Sequence, residues 1–213
     1  MRFIRRHLRL APVPTVPEIQ IHIASKETGL RRLAEADGED SEVSAPYWAF
    51  PWAGGMALAR YLLDNPESVR GRRVFDIGTG SGLVAIAAAM AGAREVSAVD
   101  IDAYAIAAAR MNAAANDAAV AIVKGDLTCG PPPSVDVILA GDVFYDPVLA
   151  ERMLGFLDRC RGRGMEIFIG DPGRAYLPRA RLRQLAEYAV PDMGIANAAL
   201  KPSAVFTLEG GLE

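Results

Sequence analysis

Residues 74–82, Val-Phe-Asp-Ile-Gly-Thr-Gly-Ser-Gly, restrict this chain more than any other stretch. A mostly apolar run feeds a turn with glycine at every second position. An Ala/Val/Ile/Met-rich run, 83–91, follows. Strand, glycine turn and helix start in that order build a cradle. Glycine takes up dihedrals that a Cβ forbids and lets a ligand approach the backbone. The free N–H groups of the helix start then face that ligand. Asp100, eighteen residues past Gly82, closes the next apolar run at 96–99; in dinucleotide folds an acid about 20 residues on accepts from ribose hydroxyls.

The dinucleotide fingerprint G-x-G-x-x-G places its last glycine three residues after the second. Leu83 holds that place here, and the spacing is Asp76-x-Gly78-x-Gly80-x-Gly82. No Lys or Arg stands in the turn to meet a phosphate, as a P-loop requires. The D-x-G-x-G-x-G turn resembles motif I of the class I methyltransferases that use S-adenosylmethionine. That resemblance places Asp76, Gly78, Gly80 and Gly82 around the cofactor, with Asp76 favouring its ammonium. Asp100 would accept from the ribose. Asp126, after the strand 119–123, would accept from the adenine amino group; its other reading is an ordinary turn aspartate. Asp102 reads as the N-cap of the next helix.

From residue 73 the pattern becomes strand–helix repeats. Strands are expected at 74–77, 95–99, 119–123, 135–140 and 165–169. Helices are expected at 83–91, 103–116 and 147–160, with a helical run around 181–188. The stretches 194–200 and 203–208 read as a closing hairpin. This is an α/β fold: a mainly parallel, seven-stranded sheet with helices on both faces and a C-terminal antiparallel hairpin. Ligands in such sheets sit at the carboxyl ends of the strands, where strand order reverses. Asp76, Asp100, Asp126 and Asp142 all fall at or just after those ends.

Ahead of this core, 1–10 carries Arg2, Arg5, Arg6 and Arg9 and no acid, which reads as a solvated segment or a targeting or basic arm. The prolines of 11–17 suggest an extended connector, 18–23 alternates as a half-buried strand, and 35–42 reads as an acidic linker. The expected division is an N-terminal extension, 1–45, and a catalytic domain, 46–213. Both tryptophans, Trp48 and Trp52, fall in 46–55 just before a helix at 56–63. They staple the extension to the core or wall a pocket, and the two roles are compatible.

A net charge of −3 gives no case for bulk nucleic-acid binding. No apolar run reaches the roughly 18–20 residues that span a bilayer. Cys129 and Cys160 suit a reducing compartment. The two histidines and two cysteines lie too far apart in sequence to suggest a metal set, and a monomer is expected.

The best active-site candidate is 141–146, Gly-Asp-Val-Phe-Tyr-Asp. Asp142 there can orient an amine, and aromatic faces at Tyr145, Phe144 and Trp52 can hold a cation; Phe144 also reads as core. The motif Asp142-Val-Phe-Tyr145 resembles the D-x-x-Y of the seven-β-strand protein lysine methyltransferases. Five further stretches are similar to the electron transfer flavoprotein β subunit lysine methyltransferases and their bacterial relatives. They are Pro-Val-Pro-Thr-Val-Pro-Glu at 12–18, Pro-Tyr-Trp-Ala-Phe at 46–50 with Trp52 and Gly54-Gly55, Arg-Tyr-Leu-Leu-Asp-Asn-Pro at 60–66, 141–146 as a whole, and Ile-Gly-Asp-Pro-Gly-Arg at 169–174.

That resemblance implies a Rossmann-like class I fold and methylation of lysines on the flavoprotein β subunit, with ribosomal protein as a second substrate. Asp142 and Tyr145 would be catalytic, Trp52 would wall the cofactor, and Trp48, Phe144, Asp171 and Arg174 would meet the substrate. Residues 188–213 carry no motif of that family. A small-molecule (nicotinamide-like) N-methyltransferase would use the same fold and aromatic wall. A cofactor-fold binding module without catalysis is opposed by the intact glycines, Asp100 and Asp142. The arginine-rich start fits a bacterial cytoplasm or a mitochondrial matrix, and the short connector after it favours the first.

Overall fold

The computed structural model describes residues 2–24, 46–191 and 200–210. Helices α1 (Arg2–His7), α2 (Ala53–Asp64), α3 (Leu83–Met90), α4 (Ala103–Ala115) and α5 (Pro147–Arg161) accompany nine strands. A two-stranded ribbon, β1 (Leu8–Val13) and β2 (Val16–Ala24), precedes the main sheet. The sheet contains β3 (Arg73–Ile77), β4 (Glu95–Asp100), β5 (Ala121–Lys124), β6 (Val137–Gly141), β7 (Glu166–Asp171), β8 (Leu182–Pro191) and β9 (Leu200–Leu208). Its order is β5-β4-β3-β6-β7-β9-β8. The strands from β3 to β7 pair in parallel, while β9 pairs antiparallel with β7 and β8.

Alternation along the strands builds two cores. Val74, Val137 and Leu139 face one side with α2 and α3, whereas Phe75, Ile138 and Ala140 face the other with α5. The chain runs outward from β3 to β5, then returns to β6 beside β3. Strand order therefore reverses between β3 and β6, and their carboxyl ends open the crevice where such sheets bind ligands. The glycine turn follows β3 and Asp142 follows β6.

A contact between backbones positions α2. An ideal Cβ at Gly54 would collide with the carbonyl of Gly170 at the end of β7, and one at Gly170 would collide with the carbonyl of Gly54. Only glycine at both places lets the first turn of α2 rest on β7. Further along, Arg60 bridges Glu18 at 2.7 Å and Asp64 at 2.8 Å, tying α2 to the ribbon.

Three sequence expectations change. The helical run at 181–188 is strand β8. Leu182, Leu185 and Tyr188 have helical spacing, but pairing with β9, through a register shift at Gln184/Ala186, overrides that local preference. Accordingly, the closing hairpin is β8–β9; residues 203–208 lie in β9, and 194–199, like the acidic linker 35–42, fall outside the described residues. The connector at 11–17 is the end of β1 and the start of β2 joined by a turn at Pro14 and Thr15, and the arginine-rich start forms α1 and the first residues of β1, with Ile4 fully buried while Arg5, Arg6 and Arg9 remain exposed. The ribbon docks on α4 through two asparagines. Asn112 Oδ1 accepts from His22 N at 2.8 Å, and Asn116 exchanges hydrogen bonds with the Gln20 backbone at 2.9 and 2.6 Å.

The Gly54–Gly170 contact gives the first prediction. Gly54→Ala forces the α2–β7 backbones apart, so it should lower the urea unfolding free energy by about 1–3 kcal/mol or more. Gly164→Ala, where an added Cβ meets nothing within 4 Å, should cost less. Its positive φ of 83° makes it a backbone-strain control.

Candidate active site

A cavity of about 870 Å³ opens along the carboxyl ends of β3, β4 and β6. At one end lies the glycine turn. Gly78 and Gly80 have φ of 67° and 52°, which a residue with a Cβ adopts only with strain. Gly80 N donates to Asp100 Oδ2 at 2.8 Å, and Asp102 N donates to Asp100 Oδ1 at 3.0 Å. One carboxylate thus ties the glycine turn to the turn after β4 and still has lone pairs for a diol. Burial raises its pKa against these hydrogen bonds. Asp102 caps α4 by accepting from Tyr104 N at 2.7 Å.

Asp76 is 1 % exposed at the cavity wall. Its Oδ2 accepts from Thr79 Oγ1 at 2.5 Å, and the backbone N–H of Ala85, third residue of α3, lies close enough to favour its charge. It therefore faces the start of α3 from the end of the preceding strand. Burial pushes its pKa up to about 7, against the pull of Thr79 and Ala85. Gly82 does not reach the cavity. It is the N-cap of α3 with φ 84°, and an added Cβ would sit 3.1 Å from Ala109, so it serves the close packing of α3 on α4.

The other end of the cavity is built around Asp142. Its Oδ2 accepts from Gly55 N, third residue of α2, at 2.7 Å. Its Oδ1 accepts from Arg174 Nε and Nη2 at 3.1 and 2.6 Å. Burial lifts the pKa to about 6, opposed by Arg174 and Gly55 and aided by the neighbouring Asp171. Arg174 also lies over the Trp52 ring, 5.8 Å from its centroid. Tyr47 links this ring to Tyr145, with centroids 5.8 Å from Trp52 and 5.7 Å from Tyr145. Tyr145 is half exposed and faces the cavity.

Both tryptophans line the one cavity, at opposite ends. Trp52 sits at the Asp142 end. Trp48 lies over Gly80 and stacks on Tyr104 at 6.0 Å, which puts it at the glycine-turn end. Phe144, expected on the substrate wall, is fully buried among the α5-side core, because the side chain after Val143 turns inward while Tyr145 turns out. Asp171 likewise stays out of the cavity. It accepts from Gly173 N and Arg174 N at 2.6 and 2.7 Å, so it fixes the loop that presents Arg174. Asp126 reaches the rim, held by Thr128 and by an ion pair with Arg152; Thr128 first, then Arg152, lowers its pKa.

Sequence reasoning missed Arg152, Tyr47, Tyr104 and Phe3, all on the cavity wall. Tyr47 lies inside the quoted 46–50 stretch. The others carry no local signal, since they arrive by tertiary packing of α5, α4 and α1. Asn112 was also missed: it is fully buried and donates to Ser81 O at 2.8 Å, which joins the glycine turn to the β2 ribbon.

The family model for ribosomal protein L11 methyltransferase (PrmA) matches residues 57–154. The electron transfer flavoprotein beta subunit lysine methyltransferase of Xenopus laevis is 38% identical over 97% of this chain and 86% of its own length. The chain belongs to the electron transfer flavoprotein β subunit lysine methyltransferase family. The Danio rerio member is 44% identical over 76% of this chain, and the match spans 65% of that relative's length. Magnesium protoporphyrin IX methyltransferase from Synechocystis PCC 6803, solved with bound SAH, shares the fold with a TM-score of 0.55. It is 14% identical and covers 86% of this chain and 95% of its own.

The raised pKa of Asp76 sets a signed expectation. A carboxyl whose folded pKa exceeds its unfolded value gives stability that is complete below about pH 4. That stability is lost as pH rises through about 7. Asp76→Asn, which cannot ionise, should therefore raise the ligand-free melting temperature at pH 8. The gain over the parent should vanish near pH 4, as read by thermal denaturation at both values.

Proposed function

We propose that this family member transfers methyl groups from S-adenosylmethionine to lysine side chains of the electron transfer flavoprotein β subunit. One arrangement carries the reading: the glycine cradle and the Asp142–Trp52–Tyr145 mouth open into the same cavity. The substrate is the one in the names of the relatives. The match to the L11 methyltransferase model favours ribosomal protein as a second substrate of the same chemistry, and the fold neighbour with bound SAH favours the cofactor.

The residues fit that cofactor. Gly78 and Gly80 admit it to the backbone, Asp100 offers acceptors for its ribose, and the buried Asp76 carboxylate favours its ammonium. When bound, S-adenosylmethionine supplies an electrophilic methyl on a sulfonium. This chain then has to align an amine with it, and alignment is the main contribution to such a displacement. A lysine amine has a reference pKa near 10.4, so its ammonium must give up a proton to solvent at the open cavity mouth before attack. Asp142 accepts from the amine and orients it. Trp52, Tyr47 and Tyr145 offer aromatic faces to the cationic product and narrow the mouth to a long, thin side chain.

The test offers labelled S-adenosylmethionine with the electron transfer flavoprotein, ribosomal proteins and nicotinamide in parallel, followed by mass spectrometry. Methyllysine on the flavoprotein β subunit is expected, whereas label in nicotinamide alone would overturn the reading. Asp142→Asn should keep cofactor affinity by calorimetry and lower transfer by about 100-fold, the scale of a misaligned reacting group. Full transfer by that variant would remove Asp142 from the reaction.

A further inference from the structure

Asp142 has little hydrogen-bonding capacity left for an incoming amine. Oδ2 is taken by Gly55 N and Oδ1 by two donors of Arg174. Three of the carboxylate's roughly four acceptor sites are thus filled, so one of the two partners has to yield if it is to grip a substrate ammonium through more than one lone pair. Gly55 cannot, because its N–H belongs to the first turn of α2 and the Gly54–Gly170 contact pins that turn to β7. Arg174 can. Its side chain is 28% exposed and sits on the loop after β7, while Asp171 holds its backbone still at 2.7 Å. Its second contact, the Trp52 face, is a cation–π contact of the sort an ammonium makes equally well.

We propose that Arg174 occupies the seat of the target ammonium, holding Asp142 Oδ1 and the Trp52 face until a primary alkylammonium replaces it. The inference rests on the lysine-methylating function proposed above and gives Arg174 a positioning role that acts through Asp142. An unpaired carboxylate in that buried place would take up a proton and lose its hold on the amine. The guanidinium keeps it ionised, then swings toward water as the substrate charge arrives. The charged groups facing Asp142 are Arg174, which favours ionisation, and Asp171, which opposes it; the α2 side contributes the uncharged Gly55 N–H.

The test compares the full chain with Arg174→Met and Arg174→Lys. Cofactor affinity serves as the check that the cradle is intact. Transfer to the flavoprotein β subunit is measured from pH 6 to 10. The methionine variant should show its acidic limb moved up by about 1–3 pH units, the usual effect of one adjacent arginine on an aspartate. Above that limb its KM for the protein substrate should fall at least about threefold with kcat kept. The lysine variant should restore the original limb.

A rise in KM at every pH would make Arg174 a direct substrate contact and overturn the proposal. A fall in kcat at every pH without a shifted limb would make it a fixed brace, with the same consequence. Binding of n-butylammonium at pH 9, read by tryptophan fluorescence, needs no methyl transfer. The methionine variant should bind it several-fold tighter than the parent, and equal or weaker binding would sink the idea. If the parent protein methylates nothing, tighter binding by the variant still supports the seat while the proposed function fails. If Arg174→Met does not fold, Arg174→Lys, whose single ammonium replaces the bidentate fork, should bind n-butylammonium better than the parent, and no gain would overturn the proposal.

Discussion

Two carboxylates at strand ends hold two helices in place. Asp142, just after β6, accepts from the third residue of α2, and Asp76, at the end of β3, faces the N–H of the third residue of α3. A helix start leaves N–H groups without partners and carries partial positive charge, which favours an acceptor there, although burial outweighs that pull on the charge and raises both pKa values. Both helices enter on glycine or tryptophan N-caps that make no side-chain capping bond. The remote aspartates supply what the local caps lack. The glycine turn and the Asp142 mouth thus share one device, a carboxylate at a strand end facing a helix start, used twice on neighbouring strands, and the same acids then face the cavity.

This double duty explains why the sequence read well in some places and poorly in others. The glycine turn after β3, the acid after β4 and the D-x-x-Y stretch after β6 are local patterns, and local patterns survive in a sequence. So did the parallel strands, whose two-sided burial gives short apolar runs. The ion pair of Asp142 with Arg174 spans 32 positions, and its bond to Gly55 spans 87. No periodicity or spacing encodes such pairs. β8 was misread for a related reason: Leu-Arg-Gln-Leu-Ala-Glu-Tyr has helix-forming residues at helical spacing, and only its neighbour β9 makes it a strand. Phe144 and Tyr145 sit side by side in the motif, yet one fills the core and the other faces the cavity, a difference set by the bend after β6.

The aromatic residues divide the cavity between two chemistries. Trp48, Tyr104 and Phe3 gather over the glycine turn and the start of α4, where a flat, uncharged ring system has stacking partners. Trp52, Tyr47 and Tyr145 gather beside Asp142 and Arg174, where a cation has both a carboxylate and π-faces. The short stretch 47–52 feeds both groups, so a shift in that segment would alter both ends together. The β2 ribbon steadies the arrangement indirectly, since Asn112 joins His22 to the glycine turn through Ser81.

Backbone strain points to the same residue as the hydrogen bonds do. Among the described residues, Asp117 and Asp142 alone have positive φ without being glycine. Asp117 follows the C-cap of α4, where a left-handed residue commonly ends a helix. Asp142 ends no helix; it leaves a buried parallel strand with φ 56° and donates its own N–H to Gly170 O at 2.9 Å. Strain of that kind costs on the order of 1–3 kcal/mol and persists only where the surroundings over-determine it. Gly170 O, Gly55 N and Arg174 together do so here. A glycine or asparagine would relieve the backbone, but neither would offer a carboxylate to both a helix start and the Arg174 guanidinium. The strain is therefore best understood as the cost of aiming one buried charge at the single point where the cavity, α2 and the arginine loop converge.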